Sequence, residues 1–209
     1  MIAPPHSRNE LAKHLQAGVQ VSTATSPSRR ASLSQLAGVV ALIALGGFTS
    51  SARAWPWDPQ NWAEAKQLVR RKFPNAPLLT VPELKVWLDD TARARPILID
   101  VRSRREFDES QLPGARNAET LSAALSLLEG RSKDTPIVVY CSVGYRSGAI
   151  AEALIQRGYL QTRNLEGSLF EWANSGLPVH QGTRLTSKVH PYNASWGRLL
   201  NRELWSIDP

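Results

Sequence analysis

The sequence predicts an α/β protein: a small central parallel sheet with helices on both faces. Three observations predict it. Short apolar segments alternate with longer ones whose apolar residues recur at helical spacing, the pattern of strand–helix–strand units. Residues 136–140 (Pro-Ile-Val-Val-Tyr) are apolar without alternation and rich in β-branched side chains, as a strand buried on both faces requires. No internal repeat is present, so the chain is a single such module rather than a tandem pair.

Each element has a local cause. Residues 55–73 predict a first helix: Asp58 caps it, Pro59 suits its first turn, and Trp62, Ala65, Leu68 and Val69 share one face. Pro74 and Pro77 end it, and its amphipathic pattern makes it an element docked on the domain. Its basic end, Arg70-Arg71-Lys72, is expected to be solvated. A strand over 78–81, a helix over 82–90 with Leu84 and Leu88 on one face, and a strand over 96–101 come next. Ser103, followed three residues later by Glu106, caps a short helix over 103–110. A strand over 115–118, a helix over 119–129, the 136–140 strand, a helix over 147–158, a strand over 162–165 and a helix over 168–174 complete the series. The tail from residue 182 starts polar and irregular. Trp196, Leu199, Leu200, Leu204 and Trp205 then form an apolar stripe, expected to be a terminal helix packed on the domain; the alternative is a helix that docks a partner.

The only cysteine, Cys141, follows the 136–140 strand and opens the segment Cys141-Ser142-Val143-Gly144-Tyr145-Arg146-Ser147. A thiol there stands at the carboxyl end of a strand and in front of a helix N-terminus. Loop N–H groups and the helix dipole both favour negative charge at that point. The thiol is therefore easier to ionise, and the thiolate is the reactive form. Gly144 permits a tight turn and close approach of backbone to ligand. Arg146 adds a fixed cation. The constellation is a nucleophile suited to an anionic substrate.

These residues resemble the rhodanese (sulfurtransferase) family. Leu98-Ile99-Asp100-Val101-Arg102 resembles its Asp-Val-Arg strand, with Glu106-Phe107 following. Gln111-Leu112-Pro113-Gly114-Ala115-Arg116-Asn117 resembles its Pro-Gly-Ala turn, and Leu165-Glu166-Gly167-Ser168 with Trp172 its closing segment. Gln111 replaces a frequent His, and Ser168 a frequent Gly. The resemblance implies a rhodanese-like fold over residues 78–180 and a sulfane sulfur carried as a persulfide on Cys141. Arg146 then holds the departing anion, and Ser142, Val143, Gly144, Tyr145 and Ser147 form the substrate loop. Asp100 and Arg102 brace the structure, for example through Arg102 with Glu106. Four residues separate Cys141 from Arg146; the family's phosphatase and arsenate reductase relatives have one more, so sulfur transfer is favoured over those alternatives. A non-catalytic binding module is the remaining alternative. The implied partners are a small-molecule sulfur donor and a thiol acceptor, with a protein acceptor also open. No cofactor is implied.

Composition bounds the rest. The formal charge is +7, and residues 1–54 carry Arg8, Lys13, Arg29, Arg30 and Arg53 against Glu10 alone. The excess is therefore concentrated in the leader, and nucleic acid is not an expected partner. One cysteine excludes an intrachain disulfide, and His6, His14, His180 and His190 have no metal-ligand spacing. Residues 1–54 are expected to be a targeting segment. Arg29-Arg30 precede an uncharged stretch, and Ala52-Arg53-Ala54 resembles a cleavage site. The Ser-Arg-Arg-Ala-Ser-Leu run is similar to a twin-arginine signal, with Ser32 where Phe is preferred. The expectation is export, periplasmic residence and no membrane span after cleavage. The alternatives are an ordinary secretory signal, an uncleaved anchor, or a bipartite plastid leader to the thylakoid lumen. Residues 55–77 form the expected N-terminal helix and linker, and 181–209 the tail.

Overall fold

The computed structural model describes residues 59–207. The expected targeting segment, with its arginine pair and cleavage site, and the expected cap Asp58 lie outside the described residues.

Five short strands form one parallel sheet: β1 (Leu78–Leu79), β2 (Ile97–Asp100), β3 (Arg116–Asn117), β4 (Ile137–Tyr140) and β5 (Thr162–Leu165), in the order β1-β5-β4-β2-β3. All four residues of β4, at the centre, are buried. The pleat sends alternate residues to opposite faces. Leu98, Val138 and Tyr140 enter one apolar cluster, and Ile99, Val139 and Cys141 the other. The first also takes Leu84 and Trp87 from α2 (Val81–Asp89), and Leu169, Phe170 and Trp172 from α6 (Ser168–Asn174). The second takes Ala124 from α4 (Leu121–Leu127) and Ala151 and Leu154 from α5 (Tyr145–Gln156). Each large side chain so buried contributes about 1.5–3 kcal/mol relative to exposure.

Capping residues set several of the boundaries. Thr80 leaves β1 after Leu79 and caps α2 in a reciprocal box with Glu83, so Val81 is helical. Thr120 caps α4. The box of Ser103 with Glu106 forms as expected and starts α3 (Arg104–Glu109). The first helix, α1, is Trp62–Lys72, shorter than the expected 55–73, and Asn61 is its cap. Its buried face is Ala65 and Val69, as the spacing predicts. Its basic end is not simply solvated: Arg70 pairs with Glu166 at 2.7 Å, and Lys66, a turn earlier, with Glu171 at 2.8 Å. These bonds fix α1 against the turn that leads into α6.

Two features of the tail depart from the sequence reading. Residues 179–186 form an antiparallel hairpin, β6 (Val179–Gln181) with β7 (Arg184–Thr186), turned through Gly182 at φ +61° and Thr183. A two-residue turn containing Gly is a hairpin signal, and the strands are only three residues long, too short for alternation to announce them. The apolar stripe does pack on the domain, with Leu199 and Leu200 buried, but it is not one helix. It comprises a single turn, α7 (Ala194–Gly197), and a 3₁₀ turn over Arg202–Leu204.

Candidate functional site

The chain leaves β4 at Tyr140 and turns at once. Cys141, Ser142, Val143 and Gly144 make the turn, and α5 begins at Tyr145, two residues before the expected 147. Arg146 and Ser147 thus lie in the first turn of the helix. Gly144 has φ +103°, and a Cβ there would stand 3.3 Å from the Leu165 carbonyl oxygen. Any other residue meets both backbone strain and a crowded neighbour. The sharp turn aims the Gly144 N–H at the Cys141 Sγ, at 3.2 Å. The Ser147 hydroxyl stands 3.5 Å from the same sulfur and 2.7 Å from Asn164 Oδ1. Its one proton serves whichever acceptor carries more charge, and a thiolate outcompetes a neutral amide. Asn164 holds the turn from the other side, donating from Nδ2 to the Gly144 carbonyl at 3.0 Å.

The loop's carbonyls are taken up behind it. Leu169 and Phe170 N–H donate to the carbonyls of Cys141 and Ser142, at 3.2 and 3.0 Å. The Cys141 N–H donates to Ser168 Oγ at 3.2 Å, and Ser168 in turn donates to the Leu165 carbonyl at 2.9 Å. Ser168 does this from the left-handed region, at φ +49°. Its position in the closing turn is where the family resemblance expects glycine, and the positive φ explains that preference. The hydroxyl makes serine useful there, a role the sequence reading did not assign.

Cys141 is 1% exposed. Burial alone pushes its thiol up, but the charge of Arg146, the hydroxyl and N–H of Ser147 and the N–H of Gly144 outweigh that effect and bring it below the ordinary thiol range. Arg146, expected as a fixed cation, is itself held by a carboxylate. It makes a two-point pair with Glu106 at 2.8 and 2.7 Å, and its Nη2 also donates to Ser142 Oγ at 3.0 Å. Burial pushes Glu106 up, but Arg146 and the Ser103 cap bring it down to about 2. Burial pushes Arg146 down, but Glu106 and the nearby Cys141 raise it overall. Glu106 therefore has two duties, capping α3 and clamping Arg146. Only the first was legible, because the partners are 40 positions apart.

The expected pairing of Arg102 with Glu106 does not form. Arg102 is fully buried and pairs instead with Asp100 at 2.7 Å, while its Nη2 also donates to the Ser110 carbonyl. Asn117 Nδ2 donates to the carbonyls of both Asp100 and Arg102. This is the expected bracing role, with a different partner. A buried carboxylate takes the cation two residues along its own strand end before one on a neighbouring helix.

Tyr145 is half-buried. Its ring meets Phe73 edge-on at 5.2 Å and tilts against Trp196 at 6.4 Å. Tyr192 lies 4.7 Å over the Arg146 guanidinium. Ser142 and Val143 are buried and hold the loop's shape. Among the described residues, no group of three or more His, Cys, Asp or Glu is placed to hold a metal ion, and no helix is long and apolar enough to cross a membrane.

Residues 80–175 match the rhodanese-like domain family. A sulfurtransferase from Allochromatium vinosum is 32% identical over 83 residues, which is 40% of this chain and 77% of that protein. Human thiosulfate:glutathione sulfurtransferase is 32% identical over 110 residues, 46% of this chain and 93% of that protein. The chain belongs to the rhodanese-like family. A rhodanese-related protein from Thermoplasma volcanium is similar in structure, at 25% identity and a TM-score of 0.43, covering 50% of this chain and 98% of that one. The rhodanese-like match begins at Thr80, the cap of α2, and ends at Ser175, just past α6. Phe73, Tyr192 and Trp196, which surround Tyr145 and Arg146, therefore lie outside it.

Proposed function

We propose that this protein is a sulfurtransferase that carries sulfane sulfur as a persulfide on Cys141. The observation that carries the reading is a buried thiol held below its ordinary range, with the Gly144 N–H 3.2 Å from its sulfur. A structural cysteine in an apolar cluster has no need of such donors. The sulfurtransferase relatives support the reading, as does the four-residue spacing from Cys141 to Arg146.

The Cys141 thiolate attacks the outer sulfur of a donor such as thiosulfate. A sulfur–sulfur bond forms on Cys141, and the donor's sulfur–sulfur bond breaks with its electron pair leaving on sulfite. A thiolate or cyanide acceptor then attacks the outer sulfur of the persulfide and releases the Cys141 thiolate. Splitting the transfer in two is ordinary covalent catalysis. The Gly144 and Ser147 N–H groups and the Ser147 hydroxyl stabilise negative sulfur in both states. Arg146 is the cation whose field reaches Cys141 and the one assigned to the departing sulfite. Tyr145 and Val143 shape the loop rather than touch the reacting atoms.

Intact mass measurement after incubation with thiosulfate tests this. One added sulfur atom, removed by cyanide with formation of thiocyanate, is expected, and Cys141→Ser abolishes both. Persulfidation that survives the substitution refutes the mechanism. An aryl phosphate turned over faster than sulfur is transferred favours the phosphatase alternative instead.

A further inference from the structure

The Cys141 loop stands at the carboxyl ends of the strands. At the opposite end of the sheet is a cavity of about 200 Å³ whose lining includes Arg95, Arg116 and Arg131. The three come from separate segments. Arg95 precedes β2, Arg116 opens β3, and Arg131 lies in the connection leading into β4. Because β4, β2 and β3 are adjacent in the sheet, the fold gathers all three at one place. Pro96, Ile97 and Pro113 supply apolar wall, and no carboxylate lines the cavity.

Several other cations among the described residues have a fixed partner. Lys66, Arg70, Lys85, Arg102, Arg104 and Arg146 each face a carboxylate. Arg93, Lys133 and Arg202 lie over aromatic rings. Among the described residues, Arg95, Arg116 and Arg131 have neither kind of partner, nor a side-chain hydrogen bond, and they share one cavity. Three like charges lining a concavity with apolar walls repel one another and focus a positive potential into it. The arrangement becomes favourable when an anion enters. Guanidinium groups present paired N–H donors that match the oxygens of a phosphate. A water molecule takes about 30 Å³, so the space holds a compact anion of several oxygens. An extended acidic peptide would need a longer groove.

We infer that this cavity is a binding site for a small polyvalent oxyanion of the phosphate or pyrophosphate type, separate from the Cys141 site. The inference does not rest on the sulfur-transfer reading. Calorimetric titration of the full chain with inorganic pyrophosphate, against sodium chloride at matched ionic strength, tests it. Saturable binding of one pyrophosphate per chain is expected. Arg95→Gln, Arg116→Gln and Arg131→Gln should each weaken it on the order of tenfold, with persulfide formation at Cys141 unchanged. All three side chains are exposed, so the variants should keep the wild-type melting curve. A parallel titration with ADP separates the sources. Tighter binding of ADP, lost in the same variants, identifies the anion as part of a phosphorylated organic ligand, whereas weaker binding identifies a free inorganic anion. Heat no greater than that of chloride, or pyrophosphate binding unchanged in the triple variant, overturns the inference.

Discussion

Glu106→Gln is the substitution that most directly probes how the site is built. Glu106 accepts two bonds from Arg146 and one from Ser142, and closes the capping box with Ser103. A glutamine keeps one acceptor oxygen but turns an NH₂ towards a guanidinium that can only donate. The depression of Glu106 from 4.5 to about 2 corresponds to at most about 3.5 kcal/mol, at ~1.4 kcal/mol for each tenfold change in acidity. Solvent reaches 32% of the Arg146 side chain, which screens the pair and reduces the expected loss to about 2 kcal/mol. For a chain of this size that lowers the melting temperature by roughly 4–8 °C. The sign of the pH dependence follows from the carboxyl being depressed in the folded state. The stabilisation is fully present above the ordinary pKa of 4.5 and is lost as pH falls through about 2. Urea unfolding at pH 6 should show the full difference from wild type, and at pH 3 less than half of it. A difference that stays constant between pH 6 and pH 3 refutes the assignment of the effect to this ion pair, and a variant as stable as wild type refutes the clamp altogether.

Ser147→Ala removes the hydroxyl that faces both Cys141 and Asn164. The thiol should titrate at higher pH, and a pH series of iodoacetamide alkylation rates should move upward accordingly; an unmoved profile shows that the hydroxyl serves only Asn164. Gly148→Ala places a methyl against the Phe73 ring, where helix α1 ends. The expected loss is about 1–3 kcal/mol, measured by urea unfolding, because Phe73 also rests on Tyr145; an unaffected midpoint shows that the contact is dispensable. For the leader we propose that Arg29-Arg30 direct export and that cleavage follows Ala54. Replacing both arginines with lysine should retain the precursor inside the cell, and N-terminal sequencing of the exported protein should begin at Trp55; a protein that keeps Met1 and remains in the cytosol refutes this.

What the sequence determined by itself is local. An unbroken apolar run specifies β4, a cysteine at its end specifies the turn, and a serine three residues before a glutamate specifies the start of α3. The limits of β5 and α6 were read from the sequence to the residue. Such features depend on periodicity, caps and turn chemistry within a few positions, so they survive without knowledge of the rest of the chain. Where a strand end competes with a helix cap, as at Thr80, both outcomes are local, and the cap prevails because the first helical N–H groups need an acceptor. The three-dimensional arrangement decided the partners. Arg146 takes Glu106 and Arg102 takes Asp100 because a buried carboxylate must face a cation, and only the packed sheet fixes which cation is there. The serine that holds the Cys141 N–H, the aromatic surroundings supplied by residues 73, 192 and 196, and the three arginines at the far end of the sheet share that origin. They lie far apart along the chain, and sequence spacing carries no signal for contacts that depend on how strands are ordered in a sheet.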